Sequence, residues 1–301
     1  MSKAINLLSK TTGLHNTVAS NRLVVKPEAG ITELAAAYNV AIGKSGEPYR
    51  RSGLTSTARK EDIHSVFSDT GDSFFVYADA LYVLNDDFSA DSIVTGLTVG
   101  LKMAYCQIGN RTYFSNGVQK GCVVNKEYVA WQAASYVGPA THRIFSNPPA
   151  GTILTALSGR IYVVSGETAW YSEPFAYGWF DLARNFIPFS QPVNMFRAVA
   201  GGIYVGLQNR VMFLSGTDPS AFVYTMVSDQ TVITGTDIYV EYSSPSGELL
   251  SRSVIWTAKD DIFIGQPDGK VINATNGKVI IPDSANGCAV YANDEYIVVF
   301  K

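Results

Sequence analysis

Charge is scarce in this sequence. Asp, Glu, Lys and Arg make up 16% of its 301 residues, and their formal balance is −3. With no basic excess there is no field to gather a phosphate backbone, so sequence-specific nucleic acid is not expected as a partner. Long apolar runs are missing as well. No stretch approaches the roughly 18 consecutive apolar residues of a membrane helix, so no membrane partner is expected either. The segment Met1 to Lys10 holds too short an apolar run for a secretory signal, which predicts synthesis in the cytoplasm. Cys106, Cys122 and Cys288 form no C-x-x-C pair, and His15, His64 and His142 are scattered. That pattern predicts reduced cysteines, no metal site and no cofactor.

Apolar and aromatic residues are plentiful: 47% of the chain is hydrophobic, with 17 Tyr beside 26 Gly. Such a composition buries a core and favours strands joined by tight turns. A pattern of turn, aromatic-rich strand, turn and apolar strand recurs along the chain. It begins at Gly71-Asp-Ser-Phe-Phe-Val-Tyr and returns at Gly109-Asn-Arg-Thr-Tyr-Phe, Ser158-Gly-Arg-Ile-Tyr-Val-Val, Ala200-Gly-Gly-Ile-Tyr-Val-Gly, Lys259-Asp-Asp-Ile-Phe-Ile-Gly and Asn293-Asp-Glu-Tyr-Ile-Val-Val-Phe. The aligned aromatics are Phe75, Tyr113, Tyr162, Tyr204, Phe263 and Tyr296, at intervals of 33 to 59 residues. A propeller blade takes about 40–50 residues, and most copies follow another apolar strand, as a meander requires.

The fold predicted is all-β: a β-propeller of about six degenerate four-stranded blades. A β-sandwich is the rival architecture. Because the last copy is incomplete, the hairpin expected in residues 37–58, around Lys44-Ser-Gly-Glu, is the natural piece to close the ring. Residues 1–30 read as an N-terminal arm and 31–301 as the propeller. Thr32-Glu-Leu-Ala-Ala-Ala-Tyr reads as one short helix with Thr32 as its cap. Residues 165–192 read as an irregular insertion between the third and fourth copies. Its Trp170, Tyr171, Phe175, Tyr177, Trp179 and Phe180 form either a partner interface or a plug between blades.

No catalytic constellation emerges, and the chain reads as not an enzyme. The adjacent pairs Asp86-Asp87 and Asp260-Asp261 read as turn residues, since strand neighbours point apart. For the same reason His64 and Ser65 are expected not to pair. There is no G-x-S-x-G elbow.

Several strings carry a resemblance. Trp170-Tyr-Ser-Glu-Pro, Asp181-Leu-Ala-Arg-Asn-Phe-Ile-Pro-Phe, Pro192-Val-Asn-Met-Phe-Arg-Ala-Val, Gly202-Ile-Tyr-Val-Gly and Phe213-Leu-Ser-Gly-Thr-Asp-Pro follow in order. Upstream stand Asn39-Val-Ala-Ile, Arg50-Arg-Ser-Gly, His64-Ser-Val-Phe and Tyr113-Phe-Ser-Asn-Gly. Over residues 20–216 the chain resembles bacteriophage virion proteins with propeller folds, related to the nozzle (tail accessory) proteins of short-tailed phages. The resemblance implies a late, non-enzymatic virion component made in the host cytoplasm. Its partners would be copies of itself, in a symmetric ring such as a hexamer, and other tail or neck proteins. Nozzle proteins are typically longer, which leaves a peripheral tail or collar module open. The alternative is a propeller that binds or cleaves host-surface carbohydrate, with Trp170, Tyr171, Trp179 and Trp256 stacking on sugar rings.

Overall fold

The computed structural model describes residues 10–26, 31–43, 45–51, 53, 62–69, 71–133, 143–240, 252–292 and 295–301. His142, the start of the final repeat copy at residues 293–294, and residues 44, 52 and 54–58 of the expected closing segment lie outside them. Every sheet formed by the described residues is small. The chain begins with β1 (Lys10–Leu14), β2 (Val25–Lys26) and β3 (Ile31–Leu34), in the order β1-β3-β2, and β1 runs parallel to β3. Thr32 is therefore a strand residue and not a helix cap. The alanines that suggested a helix lose to β3's pairing on both sides, an instance of tertiary context overriding propensity. Next come β4 (Val40–Ile42) and β5 (Pro48–Arg50), a two-stranded hairpin whose turn accepts from the Thr11 N–H of β1 through the Gly46 carbonyl at 2.6 Å.

Five four-stranded antiparallel meanders follow. The first holds β6 (His64–Ser68), β7 (Ser73–Tyr77), β8 (Ala80–Leu84) and β9 (Ala90–Val94). The second holds β10 (Ala104–Ile108), β11 (Arg111–Ser115), β12 (Lys120–Val124) and β13 (Glu127–Val129). The third is β14 (Ile153–Leu157), β15 (Arg160–Ser165), β16 (Thr168–Tyr171) and β17 (Phe186–Pro188). The fourth is β18 (Met195–Val199), β19 (Gly202–Gly206), β20 (Val211–Ser215) and β21 (Val223–Ser228). The fifth is β22 (Ile238–Val240), β23 (Ser253–Thr257), β24 (Ile262–Gly265) and β25 (Val271–Asn273). A last hairpin pairs β26 (Gly287–Ala292) with β27 (Glu295–Phe300).

Tight turns set the register. Leu157 faces Arg160 across Ser158 (φ 49°) and Gly159 (φ 73°), and Val124 faces Glu127 across Asn125 (φ 51°) and Lys126 (φ 65°). Two central residues at positive φ give the turn whose twist matches that of the strands it joins.

Neighbouring meanders pack face to face, each pair around its own apolar cluster. Phe74, Leu81, Met103 and Phe114 lie between the first and second sheets, and Tyr113, Trp131, Ile161 and Phe180 between the second and third. Tyr162, Phe196, Ile203 and Leu214 lie between the third and fourth, and Tyr204, Phe213, Trp256 and Phe263 between the fourth and fifth. A large side chain buried this fully contributes about 1.5–3 kcal/mol. The leading strands converge: β10 lies against β14, β14 against β18, and β22 against β26.

The repeat aromatics Phe75, Tyr113, Tyr162 and Tyr204 all sit on the second strand of their sheet, and Tyr296 sits on the second strand of the final hairpin. Phe263 does not. It lies on β24, a third strand, because the long interval before it holds the extra leading strand β22. The segment 165–192 combines strand and loop. Within it, β16 and β17 are the outer strands of the third sheet, and they flank a loop of residues 172–185.

Candidate functional site

Five sheets converge on one cavity of about 320 Å³. Its wall includes Phe67 and Asp69 after β6, Tyr105 and Cys106 on β10, Thr155 on β14, Arg197 on β18, Tyr239 on β22, and Arg252 just before β23. The two guanidinium groups stack on the Tyr239 ring, at 5.1 Å for Arg197 and 4.3 Å for Arg252. Each also has a carboxylate. Arg197 Nε donates to Asp237 at 2.5 Å and its Nη2 to the Asp237 carbonyl at 3.0 Å, while Arg252 Nη2 donates to Asp69 at 3.1 Å. Burial works against the Arg197 charge, but Asp237 outweighs it and the pKa is raised. The Tyr239 hydroxyl is held by Thr155 Oγ1 at 2.8 Å and by the Ala198 N–H at 3.0 Å, and burial raises its pKa. Burial likewise raises the Cys106 thiol to about 12. The Tyr105 hydroxyl is buried with no hydrogen-bond partner among the described residues, and burial raises its pKa too. Among the described residues, each of the two guanidinium groups thus has one carboxylate partner.

The structure separates the six aromatics singled out in the sequence. Trp170 and Tyr171 are successive residues of β16 and face opposite sides. Trp170 packs into the cluster between the second and third sheets, Tyr171 into the one between the third and fourth. Phe180 is fully buried, so it belongs to the core and not to a surface. Tyr177 and Trp179 are half-buried; the Tyr177 carbonyl accepts from Trp131 Nε1 at 2.7 Å, and Trp179 lies 5.4 Å from Phe145. Only Phe175 is widely exposed, at 79%. Trp256, assigned to sugar stacking in the carbohydrate alternative, is fully buried between Tyr204 and Phe263 and cannot meet a ligand.

Arg143 pins the loop. It donates through Nη2 to Glu173, through Nε to Asp181 at 3.0 Å, and from Nη2 to Asn185 at 3.3 Å. Burial acts to raise the Glu173 pKa, but hydrogen bonds from Arg143 and Asn185 leave it lowered overall.

His64 and Ser65 do pair, contrary to expectation: Nδ1 and Oγ are 2.8 Å apart. Ser65 sits at φ 54° in a bulge of β6, which turns its side chain out of the strand's alternation. Its Oγ also accepts from the Met103 N–H at 2.8 Å. The aspartates behave as turn residues: Asp87 accepts from the Ser89 N–H at 2.9 Å, and Asp261 accepts from Thr275 Oγ1 at 2.6 Å and from the Gly277 N–H at 2.8 Å. Among the described residues, no three His, Cys, Asp or Glu side chains stand close enough to hold a metal ion.

Comparison with solved structures returns propeller-like folds. The chain is similar to BBS1N, solved in complex with ARL6DN, with a TM-score of 0.51 and 9% identity over 84% of this chain and 81% of that one. It is similar to a streptogramin B lyase as well, with a TM-score of 0.50 and 10% identity over 85% of this chain and 80% of that one. The fold is propeller-like. No family model and no curated protein sequence matches the chain. At such identities the propeller likeness extends to the fold alone, and a fold does not assign chemistry.

Proposed function

We propose that the chain is a structural component of a bacteriophage tail, of nozzle, hub or collar type. It assembles as a symmetric ring of copies with neighbouring tail or neck proteins, and it catalyses no reaction. The resemblance described above supports the reading, and one structural observation carries it: the edge strand β21. Val223, Tyr224 and Met226 on this strand are 62%, 50% and 58% exposed, and its six residues carry neither charge nor proline. The outer edges of the other four meanders are blunted. β9 carries Asp91, β13 is three residues long with Glu127, β17 ends in Pro188, and β25 is three residues long. An unprotected edge is a template for another chain, and proteins without a partner usually disguise it.

The finer architecture proposed is a six-bladed ring, with β26–β27 as the inner part of the sixth blade and the 37–58 segment packed over it. Mass measurement of the purified chain by light scattering tests the assembly, and labelled electron microscopy of particles tests its place. A strict monomer at high concentration, absent from virions, would overturn the proposal.

A further inference from the structure

Phe175 is an exposed aromatic held in place at a structural cost. Its φ of 57° lies in the left-handed region, which phenylalanine seldom occupies. Its N–H donates to the Gly159 carbonyl at 2.6 Å, and its ring lies so close over Gly159 that a Cβ there would sit 2.7 Å from ring carbons. The adjoining loop backbone is equally constrained, since a Cβ at Gly178 would come within 2.3 Å of the Gln132 carbonyl. Backbone strain of this kind persists only where the surroundings enforce it, and it gathers at ligand clamps. The core does not need this ring on the surface.

The ring stands at the lip of a cavity of about 460 Å³ between β11 and the 172–185 loop. Tyr113 and Trp131 line it, both 5% exposed and 5.0 Å apart, with Tyr177 set edge-on to Tyr113 at 6.0 Å. The polar lining comes from Asn110, Arg111 and Gln132, all exposed. Arg111 is the only ionised side chain among the lining residues and forms no ion pair with a described residue. This volume suits a small ligand. The exposed Phe175 ring, beside amide side chains with no hydrogen-bond partner among the described residues, matches the two surfaces of a sugar ring, its C–H face and its hydroxyl rim. Arg111 adds a planar fork for a carboxylate.

We propose that this groove binds an acidic saccharide. The ring face packs on Phe175, the hydroxyls bond to Asn110 and Gln132, and the carboxylate pairs with Arg111. The inference stands independently of the tail assignment. It moves carbohydrate recognition away from the buried Trp256 to residues of the second sheet and the loop.

Calorimetric titration of the full chain with galacturonate, glucuronate and mannuronate tetramers, beside their carboxyl-reduced forms, tests it. The expected result is saturable binding of at least one acidic tetramer, weakened at least tenfold by Phe175→Ala. Arg111→Gln should weaken the acidic tetramer at least tenfold while leaving the reduced form unchanged. Unaltered thermal unfolding of both variants would show that the fold is intact. No binding by any tetramer, affinity unchanged in both variants, or equal affinity for acidic and reduced forms would overturn the proposal.

Discussion

Arg252 donates to Asp69 at 3.1 Å across 183 positions of sequence, joining the approach to β23 in the fifth sheet to the end of β6 in the first. The four successive sheet contacts are apolar clusters, whereas this one, between the first and fifth sheets, is ionic.

The two cavity arginines should therefore differ in weight. Arg252 is 44% exposed, and its pair is worth about 0.2–1 kcal/mol, fading with salt. Arg197→Met strands Asp237, whose side chain is only 8% exposed, and should cost about 3 kcal/mol. Urea unfolding of Arg197→Met and Arg252→Met at low and high salt checks the ranking; equal losses would contradict it.

Glu33 should make the N-terminal sheet sensitive to acid. It accepts from the Val24 N–H at 3.0 Å, sits 2.9 Å from His15 Nδ1, and pairs with Lys278 Nζ at 3.0 Å in the segment after β25. The Val24 N–H, then His15 and Lys278, hold its pKa at about 2, against 4.5 for the free group. A depressed carboxylate stabilises the fold fully above pH 4.5, and that contribution is lost as the pH falls towards 2. Limited proteolysis should release the N-terminal strands in this window, and Glu33→Gln should release them at neutral pH.

His64 works in a different range. Burial lowers its pKa below 6.5, so the folded chain resists a proton that the unfolded chain accepts. Stability should decline as the pH drops through 6.5, and His64→Gln should flatten that part of the profile. Ser65→Ala removes the acceptor for the Met103 N–H and should cost about 1–2 kcal/mol. Thermal unfolding between pH 8 and 5 reads both effects.

Of the three thiols, only Cys288 is exposed; burial raises Cys106 to about 12 and Cys122 to about 11. A thiol reagent should modify one cysteine in the native chain and three in denaturant, as counted by mass spectrometry. Fast native labelling at all three would contradict the packing between the second and third sheets.

Much of the meander was legible because its aromatics lie on strands whose neighbours follow within a few residues, as with Tyr113, Tyr162 and Tyr204. Phe263 slipped by one strand, since β22 is three residues long and carries no repeat signature. Long-range pairing hid the rest. Nothing within Thr32-Glu-Leu-Ala reveals that β1 will lie beside it, and the alternation rule that separated His64 from Ser65 holds only without a bulge. The six aromatics looked alike in the sequence; a turn's φ and a glycine's missing side chain distinguish Phe175 from Phe180.

The cavity arginines carry one more consequence. Two cations braced on one phenol are matched, among the described residues, by two carboxylates. Through Asp237 and Asp69 the pair ties the fourth, fifth and first sheets to one another. Losing either ion pair would therefore loosen contacts between sheets that are far apart in sequence.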